Sequence, residues 1–303
     1  MNAPAPIGSV EHYNLLERLE PSGPGELFRA RDTKLGRTVT VRLLPAAFAA
    51  SQAEREQLLL RARSMTSLSH PNITTLFDAG EHDSRVFLVF EYLKGQSLRA
   101  EMAGRPMNVR RAIELAIQIA DAVAEAHAAN LIHGGLSPDT IVITAKGHAK
   151  IPAFDLAARV GFEDAGGVSQ LRDYGSPEES RGGTPDDRSD IHSVGSVLFE
   201  MLTTRRPSHR GAAAPSSSNR HVPKEVDEVV LRAVEPDPDR RYQSAATLAA
   251  ELRSVAAILD VRGLSADEVE VQNESQGGGI GRILLLALLM LVAIAGMVWW
   301  SLG

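Results

Sequence analysis

Arg188-Ser189-Asp190-Ile191-His192-Ser193-Val194-Gly195 is the stretch on which the fold turns. It leads from charged and small polar residues into an apolar run of helical period over 194–203. Upstream of it stand Ser176-Pro177-Glu178, then Leu131-Ile132-His133, then Phe90-Glu91-Tyr92-Leu93 followed by Gly95-Gln96-Ser97-Leu98, and finally His70-Pro71-Asn72-Ile73. Downstream stands Asp237-Pro238-Asp239-Arg240-Arg241-Tyr242. Each signal alone is weak; their order and spacing are specific. Between them, residues 37–44 and 86–90 read as strands, and 51–68 as a helix. Ser51 is its N-cap, with Glu54 three residues on as in a capping box. Residues 112–129, 194–203 and 245–259 read as further helices. A small β-rich lobe followed by a larger α-helical lobe is an α+β architecture.

Taken in this order, the motifs resemble those of the bacterial eukaryotic-like (Hanks-type) serine/threonine protein kinases, over residues 13 to about 259. The resemblance implies a two-lobed kinase-like domain over 12–260, with an N-lobe to about residue 93 and a C-lobe beyond it. It also implies where phosphoryl transfer would be run, and there the chain departs from the family. The glycine-rich loop reads Glu20-Pro21-Ser22-Gly23-Pro24-Gly25, with Gly25 alone at its expected place. Pro24 removes a backbone donor beside the site. The strand lysine aligns with Arg42, and its glutamate partner with Arg61. Two cations at ~4 Å repel by ~4 kcal/mol at an effective dielectric of ~20, so both guanidinium groups are expected to turn out to solvent.

The catalytic loop reads His133-Gly134-Gly135-Leu136-Ser137-Pro138-Asp139-Thr140. Gly135 replaces the aspartate that accepts the hydroxyl proton, and a glycine has no group to accept it. Thr140 replaces a metal-binding asparagine, and Ala153-Phe154-Asp155 stands where the metal-binding D-F-G triplet belongs. No metal site is expected. The residues implied to hold the fold are kept. Met65, Leu76, His133 and Phe154 match the hydrophobic spine between the lobes, Asp190 matches its anchor, and Glu178 with Arg241 matches the buried ion pair of the large lobe.

The resemblance also implies a nucleotide pocket at Gly25, Leu27, Thr40, Arg42, Phe90, Glu91, Leu93 and Val142. Weak, metal-independent ATP binding is compatible with these residues, because the Glu91-Tyr92-Leu93 backbone offers donors and acceptors whatever the side chains. The expectation is a pseudokinase that works as a signalling scaffold or regulator through protein partners. The alternatives are an active serine/threonine kinase with displaced groups, Asp139 or Asp155 among them, and an ATP-binding switch without transfer.

Composition bounds the rest. The chain has 303 residues, 44% of them hydrophobic, enough for a packed core. It has no cysteine, which excludes disulfides, thiolate metal sites and cysteine nucleophiles. Its net charge of −6 argues against nucleic acid as a partner. Residues 1–11 read as a disordered N-terminus and 261–281 as a flexible acidic linker ending in Gly277-Gly278-Gly279. Ile283 to Trp300 is free of charge. As a helix it would span about 27 Å, close to the hydrocarbon core of a bilayer, with Trp299 and Trp300 at an interface. Residues 282–300 are therefore expected to be a single transmembrane helix, a tail anchor in the cell membrane with the kinase-like domain on the cytoplasmic side.

Overall fold

The computed structural model describes residues 6–19, 25–152 and 173–261. Strand β4 (Arg37–Leu43) shows why its segment folds as it does: Val39 and Val41 are fully buried, while Thr40 and Arg42 point to the opposite face. It sits fourth in a six-stranded antiparallel sheet with β1 (Gly8–Val10), β2 (Tyr13–Leu19), β3 (Glu26–Asp32), β5 (Leu76–His82) and β6 (Arg85–Glu91), ordered β1-β2-β3-β4-β6-β5. One face of the sheet closes on an apolar cluster that includes Val10, Leu15, Phe28, Val39, Val41 and Val89. The Tyr13 hydroxyl donates to the Asp78 carboxylate at 2.8 Å. The other face presents Leu27, Arg42 and Leu88 side by side, with Thr40 opposite Phe90.

Helix α1 (Gln52–Met65) packs against β5. Its start is the expected capping box: Glu54 N donates to Ser51 Oγ at 3.2 Å, and Ser51 N to the Glu54 carboxylate at 2.8 Å. The helix stops at Met65, three residues before the sequence reading ended it, where Thr66 Oγ1 donates to the Arg63 carbonyl. A side chain that bonds the last turn in this way competes with helix continuation.

The second lobe begins with β7 (Gly95–Ser97) and α2 (Leu98–Met102). Helix α3 (Val109–Ala128) follows, burying Ile113, Leu115, Ile119 and Val123 at helical spacing. Strands β8 (Val142–Thr144) and β9 (Ala149–Lys150) join β7 in a three-stranded sheet. After α4 (Pro177–Ser180), helix α5 (Asp187–Thr203) is buried from Ser189 to Thr203. Its polar residues are satisfied inside the protein: Ser193 donates to the Tyr174 carbonyl and Thr203 to the Phe199 carbonyl. Gly195 lies where α5 meets α7 (Lys224–Ala233), and a Cβ there would come within 2.7 Å of the Ala233 methyl. Between them, Pro215–Ser218 forms the one-turn α6. The chain is helical again over 245–261 (α8). Met1–Ser254 is one compact unit and Val255–Gly303 a second. Among the described residues no helix is long and apolar enough to cross a membrane, and the expected span at 282–300 lies outside them.

Glu178 and Arg241 form the large lobe's ion pair as a two-pronged contact. Arg241 Nη1 and Nη2 reach the two carboxylate oxygens at 2.6 and 2.7 Å, and Arg241 is fully buried. Burial by itself would raise the Glu178 carboxyl. The Arg241 hydrogen bonds, with smaller help from backbone and Ser176, outweigh it and hold the group down at about 2.

Two expectations follow from this packing. Glu178→Gln should destabilise the domain by about 3–5 kcal/mol at pH 7, since it strands a buried guanidinium. The folded pKa is depressed, so the difference from wild type should be full above the ordinary carboxylate pKa of 4.5 and shrink as pH falls toward about 2. Denaturant unfolding at several pH values reads it directly. Gly25 has a φ of +87°, and a Cβ on it would lie 2.3 Å from the Leu43 carbonyl oxygen. Gly25→Ala should therefore cost about 1–3 kcal/mol whether or not any nucleotide is present, read as a lower melting temperature of the protein alone.

Candidate functional site

The cleft-facing side of the six-stranded sheet is one wall of a cavity of about 520 Å³. Of the residues expected to form a nucleotide pocket, Leu27, Thr40, Arg42, Phe90, Glu91, Leu93 and Val142 line it together. Gly25 is outside the lining, and its place is explained by the close approach to β4. Arg42 corrects the sequence reading. It does not turn out to solvent: it is only 4% exposed, and burial holds its guanidinium down at about 10. The reason is its position in mid-sheet, opposite Leu27 on β3 and Leu88 on β6, with no free strand edge to turn toward. Arg61 sits half-buried on α1 beside the fully buried Ala62.

Glu91 ends β6 and lines the cavity, and its carboxylate is held by the protein. It accepts from Lys150 Nζ at 2.6 Å and from Thr75 N at 2.9 Å. Lys150 also donates to the Ile73 carbonyl at 3.2 Å. The backbone bonds Thr74 N to Ile151 O and Ile151 N to Asn72 O stitch the same segment to the second lobe. The floor and back of the cavity are thus fixed where the lobes meet.

The loop from 131 to 140 is held by its backbone. Asp190, fully buried on α5, accepts from His133 N at 2.7 Å, Gly134 N at 2.8 Å and His127 Nε2 at 2.8 Å. The His133 ring lies buried with Nε2 3.2 Å from the Pro152 carbonyl, and burial lowers its pKa. Met65 and Leu76 are buried as well. Ala153 and Phe154 lie outside the described residues, so the metal-binding position and one member of the expected spine are not placed.

Gly135 is buried and offers no side chain. Thr140 Oγ1 accepts from Ser137 N at 3.0 Å and sits 3.0 Å from the Ser137 carbonyl, so its hydroxyl is spent on the loop's own turn. Neither residue fits a divalent cation, which needs several oxygens in open reach.

The sequence reading missed the polar network beside this loop. Asp139 lines the cavity, and its carboxylate is held by Arg99 of α2 at 3.2 Å. The same guanidinium reaches Glu200 on α5 and the Tyr174 hydroxyl, and Tyr174 donates in turn to Glu200. Burial would lower the Arg99 pKa, but these hydrogen bonds raise it well above its usual value. Thr74, also missed, lines the cavity from the segment before β5.

Known proteins are similar to this chain over most of its length. The family model "Protein kinase domain" matches residues 16–255. Serine/threonine-protein kinase PrkC of Bacillus subtilis is 31% identical over 259 residues, covering 80% of this chain and 40% of that protein. Serine/threonine-protein kinase PknB of Mycolicibacterium smegmatis is 32% identical over 266 residues, covering 80% and 42%. The chain spans about two fifths of the length of these curated relatives. In fold it matches the crystal structure of the Mycobacterium tuberculosis PknI kinase domain, with a TM-score of 0.68 at 21% identity over 82% of this chain and 97% of that one. By the extent of these matches, the chain belongs to the protein kinase domain family, on its bacterial Hanks-type serine/threonine branch.

Proposed function

We propose that this chain is a pseudokinase: a serine/threonine kinase-like domain that acts by binding protein partners and transfers no phosphate. The observation that carries the reading is the loop held by Asp190. At the place of the proton-accepting aspartate stands Gly135, and nearby the Thr140 hydroxyl is bonded within the loop itself, to Ser137 N and to the Ser137 carbonyl. In-line phosphoryl transfer relies on positioned oxygens and cations, and this loop positions none toward the cavity except Asp139. The fold-holding contacts of Asp190, Glu178 and Arg241 are intact beside it. The segment 282–300 would hold the domain at the membrane through a single C-terminal span.

Asp139 favours a second reading, an active kinase with a displaced base, because its carboxylate lines the cavity four residues past Gly135. Arg99 counts against it. Its carboxylate is held at 3.2 Å by a guanidinium that Glu200 and Tyr174 also hold, so it would have to leave that contact to reach a substrate hydroxyl.

The full chain in detergent, given ATP with and without Mg²⁺, should melt without a metal-dependent shift and leave itself and a general protein substrate unphosphorylated. Transfer above background that Asp139→Asn abolishes would replace this reading by the second. Removing 282–303 should move the protein from the membrane fraction to the soluble one, and retention of the truncated chain on membranes would remove the anchor from the proposal.

A further inference from the structure

A second cavity, of about 630 Å³, opens in the helical lobe. Its walls are residues 105–110, which lead into α3, and Asn219 with His221 from the loop before α7. Both walls hang from the end of α5. Met107 N donates to the Met201 carbonyl at 2.7 Å, and Asn219 Nδ2 to the Leu202 carbonyl at 2.8 Å. His221 N donates to Asn219 Oδ1 at 3.1 Å, which ties it to the same wall.

The lining is basic. Arg105, Arg110 and His221 share it, and no aspartate or glutamate is among the lining residues, in a chain whose net charge is −6. Arg110 is engaged within the protein. Arg105 and His221 are exposed, and among the described residues no ion pair holds either side chain. Pro106, Met107 and Val109 add apolar surface to the same recess. A carboxylate needs only one guanidinium fork, as Glu178 has in Arg241. Two guanidinium groups and an imidazole on one cavity suit an anion with more oxygens and more than one negative charge.

We propose that this cavity binds a phosphorylated serine or threonine of a partner protein, its phosphate against Arg105, Arg110 and His221 and a neighbouring apolar side chain against Pro106, Met107 and Val109. The inference rests on the reading that this domain works by binding protein partners. A recess with arginine forks recognises phosphate geometry, whereas adhesion to anionic lipid draws on a broad basic surface, which an acidic chain lacks.

The experiment follows the fluorescence anisotropy of a peptide pool, randomised around one fixed phosphoserine or phosphothreonine, as the full chain in detergent is added. The same pool without phosphate is the comparison. Wild type should bind the phosphorylated pool about tenfold or more tightly. Arg105→Glu should bring that ratio to about one, and His221→Ala should lower it by about threefold. Both residues are exposed, so the melting temperature should stay within about 2 °C of wild type. Should Arg105→Glu not fold, Arg105→Ala is read in the same way. Arg63→Glu, on the exposed side of α1, should keep the preference. A preference that survives Arg105→Glu, one lost equally in Arg63→Glu, or none in wild type would each overturn the proposal. Displacement of the phosphorylated pool by an equal concentration of short-chain phosphatidylserine or inorganic phosphate would also overturn it, giving the site to a lipid headgroup or to free phosphate. No readout here involves ATP. Phosphate transfer would therefore defeat the pseudokinase reading and leave this site standing, while loss of the peptide preference would remove this site alone.

Discussion

The structure depends on the Asp190 carboxylate. A fully buried acid is costly unless its oxygens are saturated, and here two backbone amides and one imidazole saturate them. The donors at 133 and 134 are backbone N–H groups, so the path of the loop is set by groups that every residue but proline carries. Side chains on that loop can change without moving it. Gly134 and Gly135 occupy positions where the family places an arginine and an aspartate, and the loop still hangs from α5. Gly134 adds a specific adaptation, since its φ of +63° is one that glycine adopts without strain. The separation between backbone anchoring and side-chain chemistry is the physical reason a kinase fold can outlive its reaction.

A second layer is built from charge. Arg99 gathers Asp139, Glu200 and Tyr174 into one network that ties the loop to α2, to α5 and to the segment entering α4. Glu200 is nearly buried, and Arg99 and Tyr174 both donate to its carboxylate. On the far side of α5, Glu178 and Arg241 do the same for α4 and the segment before α8. Helix α5, which has no solvent face from Ser189 to Thr203, is thereby connected to its surroundings by ion pairs and not by apolar packing alone.

Much of this was legible in the chain. The β-branched run over 37–44 reads as a strand, which β4 bears out at Arg37–Leu43, and the capping pair Ser51–Glu54 predicts where α1 begins. Local signals of this kind act over a few residues and survive in any context. The Arg99 network did not register because its members lie 40, 75 and 101 residues from Arg99, and no local pattern marks them. Arg42 was misjudged for a related reason. Charge alone argues for solvent, but register fixes the direction of a side chain in mid-sheet, and register is a property of three strands together.

The two halves of the site are held by different parts of the fold. The cavity wall comes from the cleft face of the sheet, from Leu27 to Phe90, and from the segment at 74. The groups that would move a phosphate come from the loop under Asp190. The halves are joined where the lobes meet, by Glu91 with Lys150 and by the paired backbone of 72–74 with 151, all of which depend on neither a metal ion nor a catalytic side chain. Under the pseudokinase reading, a cavity beside a loop without its aspartate is the arrangement expected if binding outlasts transfer.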